Sequence, residues 1–126
     1  MENKQLVELA KKAKGFSYSP YSNFKVGAAL LCDDGTVYTG CNIENAAYGP
    51  SNCAERTAIF KAISEGKKIF KKLAIISDSK TPTYPCGVCR QVINEFAPNL
   101  EIIAASGNGE YVVTNLKDLL PNAFNL

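Results

Sequence analysis

The sequence predicts an α/β fold: a three-layer sandwich in which a five-stranded mixed sheet is flanked by helices. Segments with apolar residues at helical spacing alternate with short, mostly apolar segments, in the order α-β-β-α-β-α-β-β-α. Helices interleaved with strands in this way pack on the faces of a shared sheet. The length of 126 residues is that of one domain, so residues 1–126 are expected to form a single domain.

The first half of the chain predicts a helix, a β-hairpin and a polar loop. Leu6, Leu9, Ala10 and Ala13 recur at helical spacing and the pattern stops at Gly15. The next elements are a strand over 24–31, a turn at 33–35, a second strand over 36–41 and a loop over 42–52. Loops held by a rigid scaffold often carry binding groups, so the last segment is a candidate binding loop.

The second half predicts two helices, three strands and a final helical turn. The helices run from Cys53 to Gly66 and from Cys86 to Pro98. The remaining elements are strands over 72–77, 101–105 and 111–114, a turn at 107–109 and a helical turn over 116–120. Both cysteine motifs of the chain therefore fall where helices begin.

Composition and charge narrow the class of protein. The chain is 46% hydrophobic and 21% charged with a formal net charge of +2, as expected of a soluble globular protein without a nucleic-acid partner. No signal peptide or membrane span is visible, so no membrane partner is expected. Five cysteines without an export signal indicate reduced thiols in the cytoplasm. Because the chain has no histidine, a zinc ligand must be Cys, Asp or Glu.

The strongest chemical signal is a set of three cysteines and one carboxylate. Cys53-Ala54-Glu55 is followed downstream by Pro85-Cys86-Gly87-Val88-Cys89. A catalytic zinc keeps three protein ligands and an open fourth position, which matches Cys53, Cys86 and Cys89. The alternatives are a redox dithiol, or a structural zinc closed by Cys32 or Cys41. Either alternative leaves Glu55 without a role. Cys32 and Cys41 are otherwise expected to be small buried hydrophobic residues.

Charge around the predicted zinc site points to the two arginines next to the motifs. Helix N-termini favour thiolates, but three thiolates outweigh the two positive charges of Zn²⁺. Arg56 and Arg90 can offset this excess by donating hydrogen bonds to sulfur, and the alternative is that either forms a surface ion pair. Glu55 lies two residues after the first cysteine, where a carboxylate can move protons at the open side of the metal. The alternative for Glu55 is a carboxylate that interacts with the helix dipole.

With these motifs in place, the chain resembles the small, homotetrameric, zinc-dependent cytidine deaminases. The resemblance is carried over nearly the whole chain by the segments at 18–22, 24–29, 40–48, 52–58, 85–91 and 119–124. It implies a single catalytic domain that hydrolyses cytidine and deoxycytidine to uridine and deoxyuridine, with release of ammonia, in pyrimidine salvage. It also implies one zinc ion per subunit and a homotetramer.

The resemblance implies roles for individual residues. Glu55 is the proton-moving catalytic residue, and Arg56 tempers the charge of the three thiolates. The implied substrate contacts are Phe24 against the base, Asn42 and Glu44 at the ribose, the backbone of Ala54 at the pyrimidine and Phe124 from a neighbouring subunit. Asn122 stands where the family motif has glycine, and asparagine is a good replacement if the position needs a positive φ.

Three competing functions remain open at the level of sequence. A deaminase of another aminopyrimidine nucleoside, such as blasticidin S, has the same zinc motifs, although the acidic Glu44 favours a plain nucleoside. A zinc-stabilised binding module without catalysis is the second. A polynucleotide-editing deaminase is the third, and it requires a basic strand-binding surface that a net charge of +2 does not indicate.

Overall fold

The computed structural model describes all 126 residues, and its helices and strands follow the predicted order. The helices are α1 (Asn3–Lys14), α2 (Ala54–Ser64), α3 (Gly87–Phe96) and α4 (Leu116–Leu119). The strands are β1 (Val26–Cys32), β2 (Val37–Cys41), β3 (Phe70–Ser77), β4 (Glu101–Ala105) and β5 (Tyr111–Asn115). None of the helices combines the length and the apolar character needed to cross a membrane.

The five strands form one mixed sheet in the order β2-β1-β3-β4-β5. β3 and β4 are parallel, and each of the other neighbouring pairs is antiparallel. The parallel pair needs a crossover connection, which α3 supplies between β3 and β4. The predicted five-stranded mixed sheet is thus confirmed.

Helices cover both faces of the sheet, which confirms the three-layer arrangement. One face packs against α1 through a cluster that includes Leu6, Val7 and Ala10 of the helix. The opposite face packs against α2 and α3 through a cluster that includes Ile59 and Ile93. Inward-facing residues of the strands alternate between the two clusters, as the pleat of a sheet requires.

The sheet register brings the cysteine motifs to one edge of the molecule. Gly27 at the start of β1 pairs with Cys41 at the end of β2 and with Ile76 near the end of β3. The connections that leave β2 and β3 lead to the first residues of α2 and α3. Both helices therefore begin beside this edge, and their free N–H groups lie close together.

Close packing of α2 on β2 depends on Gly40. A Cβ atom placed on Gly40 would lie 2.6 Å from the carbonyl oxygen of Ala54 and 2.6 Å from the amide nitrogen of Ala58. These are backbone atoms of α2, which cannot move aside as a flexible side chain can. The first turn of α2 therefore lies directly against the end of the strand that leads into the 42–52 loop.

Candidate active site and metal centre

Three thiols meet where α2 and α3 begin. Cys53 is the N-cap of α2, Cys86 is the N-cap of α3, and Cys89 lies in the first turn of α3. The three sulfur atoms lie within 4.8 Å of one another, and Cys53 Sγ is 3.7 Å from Cys86 Sγ. Zn–S bonds of about 2.3 Å in a tetrahedral site require S–S separations of roughly 3.8 Å. The sulfur positions therefore fit a zinc ion.

The ionisation of the thiols also fits a cation. Hydrogen bonds from Cys89 and Arg56 lower the pKa of Cys53 to about 5, against the effect of burial. The hydrogen bond to Cys53, together with burial, raises the pKa of Cys89 above its usual range. A thiolate at one sulfur therefore disfavours ionisation of the next thiol. A divalent cation bound by all three sulfurs would offset this repulsion.

The cysteines outside the motifs do not join this cluster. Cys32 is fully buried among the core residues between the sheet and α2, and Cys41 lies in β2. Neither belongs to the group of three thiols. A structural zinc closed by Cys32 or Cys41 therefore finds no support in the geometry.

Glu55 is a buried carboxyl group beside the thiols. It lies in the first turn of α2 and is 4% exposed. Its pKa is raised to about 7, chiefly by burial and also by the nearby Cys53 thiolate, while its own backbone N–H, Cys89 and Arg56 lower it in part. An ion pair with a neighbouring basic residue, the usual explanation for a buried acid, is absent here.

The two arginines next to the motifs have different partners. Arg56 Nη2 donates a hydrogen bond to Cys53 Sγ at 3.3 Å, which matches the sequence-based expectation. Arg90 does not contact the sulfurs. It donates from Nε to the carbonyl of Pro85 and from Nη1 to the carbonyl of Leu119, each at 2.7 Å. Neither alternative for Arg90, a sulfur contact or a surface ion pair, is found, since this guanidinium instead joins the segment before Cys86 to the end of α4.

A cavity of about 560 Å³ opens beside Glu55 and the thiols. This is within the range of small-molecule sites, which is about 300–1,000 Å³. Its lining includes predicted substrate-binding residues Phe24, Asn42, Glu44 and Ala54. The structure therefore brings four of the five predicted substrate contacts into one cavity with the candidate metal centre.

Asn42 is held in one orientation by its neighbours. Its Oδ1 accepts hydrogen bonds from the amide of Val26 at 2.9 Å and from the hydroxyl of Ser17 at 2.5 Å. Its Nδ2 donates to the carbonyl of Phe24 at 2.7 Å. An amide nitrogen has two N–H groups, so one remains free for a ligand in the cavity.

Glu44 is anchored through its carboxylate to the preceding turn. Its Oε1 accepts hydrogen bonds from the backbone amides of Tyr21 at 3.0 Å and Ser22 at 3.1 Å. Its Oε2 accepts from the hydroxyl of Ser22. The Ser22 hydroxyl, followed by the two amides, keeps the pKa of Glu44 below its ordinary value, so the group is a carboxylate at neutral pH. Oε2 keeps acceptor capacity for a ligand.

Phe124 lies outside the cavity of its own chain. It is 67% exposed, and its carbonyl is held on α3 by the side-chain amides of Gln91 and Asn94. Asn122 has φ 55°, so the position does adopt the left-handed conformation that favours glycine or asparagine. The Asn122 departure from the family motif is thus accommodated by the backbone.

Comparison with known proteins decides the family. The family model for the cytidine and deoxycytidylate deaminase zinc-binding region matches residues 1–105. This chain belongs to that deaminase family. A curated cytidine deaminase from Sporosarcina psychrophila is 50% identical over 126 residues, covering 99% of this chain and 93% of the relative. Blasticidin-S deaminase from Bacillus cereus is 31% identical over 125 residues, covering 93% and 88%.

A solved structure gives the same result for the deaminase fold. The crystal structure of cytidine deaminase from Burkholderia pseudomallei superposes with a TM-score of 0.95 at 49% identity. The superposition covers 98% of this chain and 100% of that chain. The α/β fold expected from the sequence is therefore that of a cytidine deaminase.

Several residues that line the deaminase cavity were not singled out from the sequence. They are Ser22, Val26, Gly49, Ser51, Asn52, Thr83, Tyr84 and Val88. Most belong to segments adjoining a motif, such as Tyr84 before Pro85 and Asn52 before Cys53. Their position next to a motif could have identified them from the sequence, because residues beside a candidate metal ligand lie close to the same site. Ser22 is different, since its place in the cavity depends on its contact with Glu44.

Proposed function

We propose that this deaminase hydrolyses cytidine and deoxycytidine to uridine and deoxyuridine and releases ammonia. The observation that carries the proposal is the buried Glu55 carboxyl group beside three clustered thiols, within one cavity that also contains Asn42 and Glu44. A carboxyl that moves protons, a metal site and polar groups for a sugar are the parts that this reaction needs. Relatives named cytidine deaminase over nearly the whole chain support the same substrate.

The cofactor is zinc, and we assign one ion to each chain. Cys53, Cys86 and Cys89 would hold it as thiolates, and the hydrogen bond from Arg56 to Cys53 would reduce the negative charge of the set. When bound, zinc supplies a Lewis acid that lowers the pKa of a water molecule towards neutrality.

Glu55 is the group that moves protons during the reaction. A water molecule loses one proton to the Glu55 carboxylate as its oxygen bonds to C4 of the pyrimidine, and this proton is delivered to ring N3. Glu55 then transfers the second proton of that oxygen to the amino group, the C4–N bond breaks, and ammonia leaves. The balance is one nucleoside and one water in, and one uracil nucleoside and one ammonia out. Positioned acid–base groups of this kind contribute typically about 10²–10⁴-fold in rate.

The cavity residues orient the nucleoside. Phe24 packs against the base, and the backbone at Ala54 hydrogen-bonds the pyrimidine at the start of α2. The free N–H of Asn42 and the carboxylate of Glu44 contact ribose hydroxyls. Asn42 and Glu44 are held by Ser17 and Ser22 respectively, so the sugar meets groups that are already oriented.

A homotetramer would complete the cavity in this proposal. Phe24, Tyr48 and Val88 line the cavity and are 46%, 76% and 58% exposed, and Phe124 is 67% exposed. We assign Phe124 to the site of a neighbouring subunit, where the exposed part of its ring would be removed from water. The chain would act as a single catalytic domain, in the cytoplasm, in pyrimidine salvage.

Blasticidin S is the second candidate substrate, and the 31% identical relative named for it is the reason to test it. The carboxylate of Glu44 favours a plain nucleoside, because its Oε2 can accept a hydrogen bond from a sugar hydroxyl.

The test is an ultraviolet assay of the purified protein with cytidine, deoxycytidine and blasticidin S in parallel. We expect turnover of the two nucleosides, loss of turnover after a chelator removes zinc, and recovery when one equivalent of zinc is returned. Turnover of blasticidin S in preference to cytidine would contradict the proposed substrate. Full activity of the protein after zinc removal would contradict the proposed chemistry.

A further inference from the structure

The last residues of the chain are tied to α3 by two side-chain amides. Asn94 Nδ2 donates hydrogen bonds to the carbonyl of Phe124 at 3.2 Å and to Oδ1 of Asn125 at 3.0 Å. Gln91 Nε2 donates to the same carbonyl of Phe124 at 3.0 Å. Chain termini are poorly ordered unless they are held in place, so these contacts identify a tail that is held.

The packing of Phe124 in its own chain does not explain this arrangement. Asn94 is 8% exposed, whereas the side chain whose backbone it holds is 67% exposed. A buried amide must find hydrogen-bond partners, and Asn94 finds both of its partners in the last three residues. The contacts therefore order a tail whose largest side chain, the Phe124 ring, remains in solvent.

The place on α3 where the tail is held connects it to the cavity. Val88 lines the cavity, and Gln91 follows three residues later on the same side of the helix. Three residues of α-helix advance about 4.5 Å, so the Phe124 carbonyl is held about one turn beyond Val88. The left-handed Asn122, at φ 55°, turns the chain between α4 and this position.

We propose that Asn94 and Gln91 are positioning residues that hold Phe124 for insertion into the site of a second copy of this chain. The inference rests on the proposed function, in which that second copy receives Phe124. Without the two amides, Phe124 must give up the conformational freedom of a loose tail each time it enters the neighbouring site. With them, the aromatic group is ordered before the subunits meet.

The test uses two isosteric variants and a matched control. Asn94→Asp and Gln91→Glu keep the shape of each side chain but replace the donor with an oxygen that repels the Phe124 carbonyl. Gln91 lies nearer the surface than Asn94, so Gln91→Glu serves where Asn94→Asp does not fold. Glu95→Gln on the exposed side of α3 is the control, because it alters charge on the same helix without involving a tail contact.

The first readout is release of the C-terminal residues by carboxypeptidase. We expect roughly tenfold faster release of Leu126 and Asn125 from each variant than from the parent or the Glu95→Gln control. This readout needs no turnover. It therefore measures how firmly the Asn94 and Gln91 amides hold the tail even if the protein does not deaminate cytidine. An unchanged release rate in both variants would overturn the inference.

The second readout is steady-state kinetics with cytidine. We expect KM to rise roughly tenfold in each variant, as it should in Phe124→Ala, with zinc content and oligomeric state unchanged. Adding Phe124→Ala to Asn94→Asp should raise KM no further, because both changes remove the same contribution. Faster release of the tail with an unchanged KM would overturn the positioning role. A double variant whose KM rises by the product of the two single effects, Asn94→Asp and Phe124→Ala, would overturn it as well.

Discussion

At the scale of single residues, the Glu44 carboxylate supports the fold and keeps an acceptor for the proposed ligand. Oε1 holds the turn at Tyr21 and Ser22 through two backbone amides. Oε2 accepts one hydroxyl from Ser22 and has room to accept another from a sugar. The family resemblance implies a ribose contact for Glu44, and the contact with the turn is visible only in the structure.

We predict that Glu44→Gln weakens cytidine use while leaving the turn intact. The amide oxygen can replace Oε1, but its NH₂ group cannot accept from a sugar hydroxyl. Hydrogen bonds to charged groups contribute about 1.5–3 kcal/mol, so kcat/KM for cytidine should fall roughly 10–100-fold. The measurement compares cytidine with free cytosine, which has no sugar. If the loss on cytidine does not exceed the loss on cytosine, Glu44 does not contact the ribose.

Arg56 is the residue on which the charge of the three-thiol set depends. We predict that Arg56→Gln weakens zinc binding roughly 10–100-fold, because Cys53 loses a charge-assisted hydrogen bond. Competition with a zinc-binding dye measures this directly. Lys61→Gln is the control, since it removes the same charge from the exposed side of α2. Equal zinc affinity in the two variants would contradict this role and favour the alternative that Arg56 forms only a surface ion pair.

Residue roles could be predicted from sequence where spacing alone determines the geometry. Two cysteines that are three residues apart at the start of a helix lie close together. The spacing of Cys86 and Cys89 therefore predicts that both can bind one metal ion. Arg90 follows Cys89 just as directly, yet one of its two partners is the carbonyl of Leu119, a residue distant in sequence. Such a contact depends on where α4 ends, and no local pattern in the sequence contains that information.

At the scale of elements, the contact between β2 and α2 controls where the candidate metal ligand Cys53 lies. We predict that Gly40→Ala destabilises the protein by about 1–3 kcal/mol and lowers zinc affinity, because the new methyl group meets backbone atoms of α2. Denaturant unfolding and zinc titration measure the two effects. Gly87→Ala is the control, since a Cβ atom there meets nothing within 4 Å. Equal stability of the two variants would contradict the close-packing account.

The order and type of the elements were predicted correctly, and the differences lie at the ends of helices and strands. The first strand was expected from residue 24 but begins at Val26, because the carbonyl of Phe24 bonds to the Asn42 side chain instead of to a neighbouring strand. The third strand begins at Phe70, two residues early, because Phe70 pairs with Cys32 across a register shift. Both ends are set by partners from another part of the chain, so residue preferences alone cannot locate them.

At the scale of the whole molecule, exposed aromatic groups around the cavity favour assembly. We predict a homotetramer in sedimentation at assay concentration, in which Phe124→Ala raises KM for cytidine without loss of zinc. Mixing Phe124→Ala with Glu55→Gln chains should restore part of the turnover once subunits exchange, because some sites then combine an intact Phe124 with an intact Glu55. A fully active monomer would rule out sites shared between subunits.

We propose that Glu55, held beside three thiols suited to zinc, moves the protons of cytidine deamination. The direct test is the rate of cytidine turnover by Glu55→Gln, measured on protein that carries one zinc per chain and unfolds at the parent temperature. We expect zinc binding at the parent level with a loss of at least about 10²-fold in kcat, since an amide cannot accept and return a proton. A kcat close to that of the parent in the zinc-loaded variant would contradict it.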